Sequence, residues 1–377
     1  MSSNPRLLYL VSEDWYFLSH RLPMARAARA AGFDVHVATR VAEGGAAIEA
    51  EGFTLHPLTW CRGSINPRDF VSAIAQVRRA YRRIAPDLVH QVAFWPSIVG
   101  SLAAFGLPMR RISALAGMGY AFTSNAPKAH IVRVLLQPIL KDLLGGRRAA
   151  VLVQNPDDFG AMAALGVAHE RIFLIPGSGV DTDQMRRLPE PPGPITMAYV
   201  GRLLDDKGLR SLIAAHELLN ARGEDIRLLI AGDTDPANPA SIPQQEIDRW
   251  RQRPGVELLG YVADISSVWA RAHIAVLPSR REGLPKSLLE AAAYGRPIIA
   301  TDVTGCREIA RAGVNALLVP VDDAAALADA AQRLARDTAL RANFAAAGRA
   351  LVEKEFASAR IGNETVKMYH AMLSSRG

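Results

Sequence analysis

Short apolar runs alternate with helical patterns along the whole chain, and no other feature limits its fold so strongly. Leu7–Ser12 (LLYLVS) reads as a strand, Arg21–Ala31 (RLPMARAARAA) as a helix stopped by Gly32, and Asp34–Thr39 (DVHVAT) as the next strand. Leu88–Gln91, Arg111–Leu115 and Ala150–Gln154 continue the series. After the turn-rich Pro176–Asp183 (PGSGVDTD) a second series runs through Thr196–Gly201, Arg227–Ala231, Val256–Leu259, Ile274–Pro278 and Pro297–Ala300. A parallel neighbour is reached only by a crossover, which a helix supplies, so this alternation predicts parallel sheets. The expected class is α/β, with two Rossmann-like, doubly wound halves joined near 176–193. Ligands of such sheets sit at the carboxyl ends of the strands, and the cleft between two such domains is the default site.

Length agrees: 377 residues suit two domains of roughly 150 each. With 49% hydrophobic and 21% charged residues, a disordered or fibrous chain is excluded. Cys61 and Cys306 are too few for a metal cluster or a disulfide framework. The opening MSSNPRLLYLVSED is too short for a secretory apolar region. Val92–Met109 is the most membrane-like stretch, but Pro96, Gly100, Gly106 and Pro108 interrupt it, and a span needs about 20 clean apolar residues. It reads as a buried strand end and helix. The chain is expected in the cytoplasm or on the inner face of a membrane.

The net charge of +7 is uneven: residues 1–180 hold 19 basic and 12 acidic side chains, and 181–377 hold 25 of each. Arg78, Arg79, Arg82 and Arg83 crowd one helix, Arg110 and Arg111 follow an apolar stretch, and Lys128–Leu144 reads as amphipathic. Two readings stay open, a solvated face and a peripheral surface for anionic lipid. No interleaved aromatics or known motif point to nucleic acid.

The first strand is followed by SEDWYFLSH, without G-x-G-x-x-G, so a nicotinamide or flavin enzyme is not expected. There is no phosphate-binding G-x-x-x-x-G-K-[ST] loop either. The informative stretch is PSRREGLPKSLLEAAAYGRPIIATDVTGCRE, Pro278–Glu308. A strand leads into a polar loop, then Glu282-Gly283-Leu284-Pro285, then a helix over about Lys286–Tyr294 closed by Gly295. Backbone N–H groups near Gly283–Lys286 make a helix-terminus anion site, with Glu282 before the helix and Glu290 about one turn inside it. A second element agrees. In VGRLLDDKG a strand ends at Gly201, and Arg202 and Lys207 stand five apart before a helix, two cations suited to a diphosphate. Asp233-Thr-Asp235 matches a D-x-D metal motif but reads as a strand end and turn, Asp181-Thr-Asp183 as a chance match in the linker, and Asp205-Asp206 as a flank that tunes or caps the next helix. No metal ligand is assigned.

The order G-R-L-x-x-x-K-G, then E-G-x-P-x-x-x-x-E followed by A-x-x-x-G-x-P-I-I-A-T, resembles the retaining GT-B glycosyltransferases of family 4. EDWYFLSHRLPMA, DLVHQVAFWPSIVGSLAA, ALAGMGYAFTS and IPGSGVDTD resemble its bacterial capsule, O-antigen and exopolysaccharide branch. The resemblance implies a GT-B fold: an acceptor domain over 1–180, a nucleotide-sugar domain over 181–355, and a C-terminal helix within 356–377 returning to the first. It implies sugar transfer with retention from a nucleoside-diphosphate sugar, most often a uridine one, to a saccharide or undecaprenyl-diphosphate-linked acceptor. Arg202 and Lys207 would hold the diphosphate, Glu290 the ribose hydroxyls, and Glu282 the donor sugar. The amides of Gly283 and Leu284 would lie near sugar hydroxyls or the β-phosphate, and His90 would face the sugar from the first domain. Many members carry a second histidine two residues on, where this chain has Val92. Cleavage of a glycosyl–phosphate bond builds negative charge on the leaving diphosphate, which two cations and a helix N-terminus stabilise by several kcal/mol. No divalent metal or cofactor and no protein nucleophile is then called for. The alternatives are an isomerase like the UDP-N-acetylglucosamine 2-epimerases on the same scaffold, or an idle scaffold that docks on membranes.

Overall fold

The computed structural model describes residues 4–60, 66–115, 141, 143–235 and 238–374. Cys61 and most of the amphipathic Lys128–Leu144 lie outside them, as does most of ALAGMGYAFTS. Two compact units emerge: one runs to Ser178 and takes in the C-terminal helix Ser358–Ser374, and the other is Gly179–Ala357.

The first unit holds β1 (Arg6–Glu13), β2 (Asp34–Arg40), β3 (Thr54–Pro57), β4 (Leu88–Val92), β5 (Arg110–Ala114), β6 (Ala149–Val153) and β7 (Ile172–Leu174). They form one sheet in the order β3-β2-β1-β4-β5-β6-β7, parallel throughout. Leu7, Tyr9 and Val11 pack into one apolar cluster and Leu8 and Leu10 into another, so both faces of β1 are covered. This is why the strand reads as an unbroken apolar run instead of an alternating one.

The second unit repeats the plan with β8 (Ile195–Val200), β9 (Ile226–Ala231), β10 (Val256–Gly260), β11 (Ile274–Leu277), β12 (Ile298–Thr301) and β13 (Ala316–Val319), in the order β10-β9-β8-β11-β12-β13. Its pairs are parallel too. The predicted strands are all present, with ends shifted by a residue or so. Three short ones, β3, β7 and β13, were not foreseen, nor was the helix Asp14–His20 directly after β1.

The C-terminal helix packs on helix Leu22–Ala30, where a Cβ on Gly362 would come within 2.7 Å of Ala27 Cβ. It carries Tyr369 into the first core. The Tyr369 hydroxyl lies 2.8 Å from the Tyr9 hydroxyl and 2.6 Å from His90 Nδ1. Among the described residues no helix is long and apolar enough to cross a membrane. The Val92–Met109 stretch divides into the end of β4 and helix Phe94–Ala103.

Candidate active site

In the second sheet the strand order reverses between β8 and β11, which are direct neighbours through Ile274–Met197 and Ala275–Ala198. The loops leaving their carboxyl ends run to opposite faces, and the space between them is where a doubly wound sheet takes its ligand. Arg202 and Lys207 lie on the loop after β8, Glu282 on the loop after β11. Sequence reasoning and topology thus choose the same edge.

The two loops are locked backbone to backbone. Gly208 has φ 70°, and a Cβ there would lie 2.0 Å from the Pro278 carbonyl oxygen. Glycine supplies both the left-handed turn and the missing bulk. One residue on from Ser279, the Arg280 N–H donates to the Asp206 carbonyl at 2.8 Å. Gly305, inside helix Thr304–Ile309, supplies only the missing bulk: a Cβ there would come 2.5 Å from the carbonyls of Glu282 and Gly283.

On this frame each cation meets a carboxylate. Lys207 Nζ lies 2.6 Å from Glu282 Oε1, with the side chains 21% and 10% exposed. The Ser279 hydroxyl donates to the same oxygen at 2.7 Å, and the Thr301 hydroxyl holds the Ser279 carbonyl from behind. Arg202 Nη1 donates to Asp235 Oδ2 at 2.7 Å. The buried Tyr199 hydroxyl donates to the Arg202 carbonyl at 2.8 Å and fixes the start of the loop. Burial holds this phenol well above its ordinary range, and the Glu282 and Asp206 carboxylates push it the same way, so it remains a neutral donor.

Glu290 sits inside helix Lys286–Ala293, buried, with Lys286 Nζ at 3.4 Å. Burial raises its carboxyl above the usual range and the Lys286 ammonium pulls it back in part. The helix begins after Pro285 without a side-chain cap, directly behind Gly283 and Leu284. Its first-turn amides carry the partial positive charge that an anion seeks.

Three contributors escaped the sequence. Asp235 belongs to the triplet read as a turn, yet its carboxylate is the partner of Arg202, brought there because β9 lies next to β8 in the sheet. Ser279 and Tyr199 act through contacts that no spacing reveals. Asp205 and Asp206 do not cap the following helix: Asp205 pairs with Arg210 and Arg280, and Asp206 faces Arg281 at 3.6 Å.

His90 belongs to the first unit. It is fully buried in the middle of β4, stacked 5.0 Å from the Tyr9 ring and bonded to Tyr369. Burial, seconded by the nearby Arg21, holds its pKa well below the usual value, so the ring is neutral. Val92, where many members carry a histidine, is likewise buried in the core.

Two family models match the chain. Residues 6–155 match a glycosyl transferase 4-like model, and residues 194–337 match one for glycosyl transferases group 1. The chain is 32% identical over 177 residues to the capsular polysaccharide biosynthesis glycosyltransferase CapM of Staphylococcus aureus, covering 47% of this chain and 46% of that one. It spans about half the length of that relative. Against the N,N'-diacetylbacillosaminyl-diphospho-undecaprenol alpha-1,3-N-acetylgalactosaminyltransferase of Campylobacter jejuni it is 23% identical over 352 residues, with 87% and 91% covered. Among solved structures, Anabaena Alr3699/HepE in complex with UDP-glucose superposes with a TM-score of 0.76 at 19% identity, over 97% and 99% of the chains. With a 4-like domain followed by a group 1 domain, each on its own parallel sheet, the chain belongs to the GT-B glycosyltransferases of family 4.

Proposed function

We propose that the chain transfers a sugar, with retention, from a uridine diphosphate sugar to a saccharide carried on a lipid diphosphate, in the assembly of a surface polysaccharide. The observation that carries this reading is the pairing of Lys207 with Glu282, and of Arg202 with Asp235, at the switch point of the second sheet. Both cations are held ready on carboxylates that a diphosphate can displace. On binding, Arg202 and Lys207 turn to the phosphates, and the first-turn amides behind Gly283 and Leu284 add their partial charge. Glu282, released from Lys207, accepts hydroxyls of the donor sugar, and Glu290 accepts those of the ribose. As the glycosyl–phosphate bond breaks, the two cations and the helix terminus stabilise the leaving diphosphate, so a divalent metal has no step to perform. The acceptor hydroxyl enters on the same face, and the departing phosphate takes its proton. His90 acts as a core residue and touches no substrate.

A UDP-glucose complex in one structural neighbour and a diphospho-undecaprenol acceptor in the name of one relative support the choice of donor and acceptor class. The basic first half supports a peripheral membrane position. Arg78 binds the carbonyls of Ala103 and Phe105, and Phe105 is 84% exposed beside it. A thermal-shift panel of nucleoside diphosphates and their sugars, run in EDTA, tests the reading. Stabilisation by uridine diphosphate and by one of its sugars is expected. No shift by any nucleotide would remove the enzyme claim, and release of an epimer without acceptor would replace transfer by isomerisation.

A further inference from the structure

The second sheet has an opposite edge, and a cavity of about 290 Å³ opens there. Its walls come from the segment before β8 (Arg187–Glu190), from His273 before β11, and from Gly295–Pro297 before β12. These are the amino ends of three adjacent parallel strands, whereas Arg202 and Glu282 follow the carboxyl ends of β8 and β11. The cavity is therefore separate from the donor site. Its size falls near the lower limit of small-molecule sites, roughly 300 Å³.

Its charge is unbalanced. Arg296 is 2% exposed and lines the cavity. Its Nε donates to the Trp269 carbonyl at 2.9 Å and its Nη2 to the Pro189 carbonyl at 2.8 Å, while Nη1 has no hydrogen-bond partner among the described residues. Burial brings this guanidinium down to about 10, still charged at neutral pH but without a carboxylate bonded to it. Arg187 crosses over Gly295, where a Cβ would touch its Cγ at 2.8 Å, and it too has no ion pair among the described residues. The one carboxylate in the wall, Glu190, is paired with Arg341 at 2.6 Å. His273 accepts the Thr196 N–H on Nδ1 at 3.1 Å and is kept neutral by burial. Arg187, Arg296 and Arg341 thus meet a single carboxylate, Glu190, which is bonded to Arg341 and reaches Arg296 only through space, so the cavity keeps an excess of positive charge. Leu188, Pro189, Pro297 and Ala345 leave an apolar wall beside them.

We infer that this cavity binds a small phosphate monoester, its phosphate on Arg187 and Arg296 and its carbon skeleton against the proline and leucine wall. The site has no part in the transfer chemistry.

The test is titration calorimetry of the full chain with glucose 6-phosphate and with inorganic phosphate, on wild type, Arg187→Glu and Lys207→Ala. Arg187 is exposed, so its replacement leaves the fold intact. Glucose 6-phosphate is expected to bind wild type and Lys207→Ala alike and to lose at least tenfold in affinity in Arg187→Glu. Inorganic phosphate should follow the same pattern more weakly. Nucleoside diphosphate should bind Arg187→Glu as it binds wild type. Absence of binding to wild type, binding that survives Arg187→Glu, or binding lost in Lys207→Ala would each overturn the inference.

Discussion

Lys207 and Glu282 form a 2.6 Å ion pair although they lie 75 residues apart in the chain, and Glu282 takes the Ser279 hydroxyl on the same oxygen. The ammonium is therefore already ordered before any ligand arrives. On the proposed function, replacing Lys207 by alanine leaves Glu282 beside the donor diphosphate with its charge uncompensated. Transfer should fall by about 10²–10³-fold in kcat, the scale for losing one preorganised charge at a developing anion. Affinity for the free nucleoside should change little, so steady-state kinetics set beside nucleoside titration check the assignment. Wild-type kcat would place the diphosphate elsewhere.

With Glu290 in the proposed ribose-binding role, the site acquires a pH dependence whose sign follows from its burial. Burial raises its carboxyl, so on acidification it protonates earlier than a solvated carboxylate. Nucleotide affinity should weaken as pH drops from neutral through the raised value, because the neutral acid is the poorer acceptor for ribose hydroxyls. Glu290→Gln should bind about tenfold more weakly at neutral pH and lack that slope. The effect on folding runs the other way. A folded value above the unfolded one gives stability that is full at low pH and is lost as pH rises through the folded value. Calorimetry across pH 5 to 8 on both proteins separates the two.

Gly208→Ala should destabilise the second unit by about 3 kcal/mol, since it strains a left-handed turn and drives a methyl into the Pro278 carbonyl. Urea titration should show a lower midpoint. An unchanged midpoint would mean that the two loops are not in backbone contact.

Tyr369→Phe removes one hydroxyl and leaves two buried polar atoms without partners, the Tyr9 hydroxyl and His90 Nδ1. A loss of about 1–3 kcal/mol is expected, with kcat per folded molecule unchanged. If kcat falls in step with the mutation while stability holds, His90 reaches the substrate after all.

The basic helix Pro67–Ile84 with exposed Phe105 predicts sedimentation with vesicles of anionic lipid that weakens with salt. Equal partition to neutral and anionic vesicles would leave these arginines as a solvated face.

The central strands were legible because both faces of each sheet are covered, and their apolar runs stand out against helical segments. The edge strands β3 and β7 run to four and three residues, too short to carry a pattern. Helix Asp14–His20 is hidden because DWYFLSH buries only Asp14 and Phe17 and has no amphipathic period. Within the site, Arg202, Lys207, Glu282 and Glu290 belong to spaced motifs and could be read. Asp235 could not, because its role depends on β9 lying beside β8, a matter of sheet order that one sequence does not display.

Helix Ser358–Ser374 completes the first core. Tyr369 leaves the ribosome after the whole second unit, yet it caps a polar cluster built on β1 and β4, which are made some 280 to 360 residues earlier. Unit one must therefore wait, its Tyr9 and His90 unsatisfied, while the whole second unit is synthesised. Interruption of translation just before Ser358 would release a first unit lacking its seal, and such fragments should be cleared by proteases from their amino-terminal half.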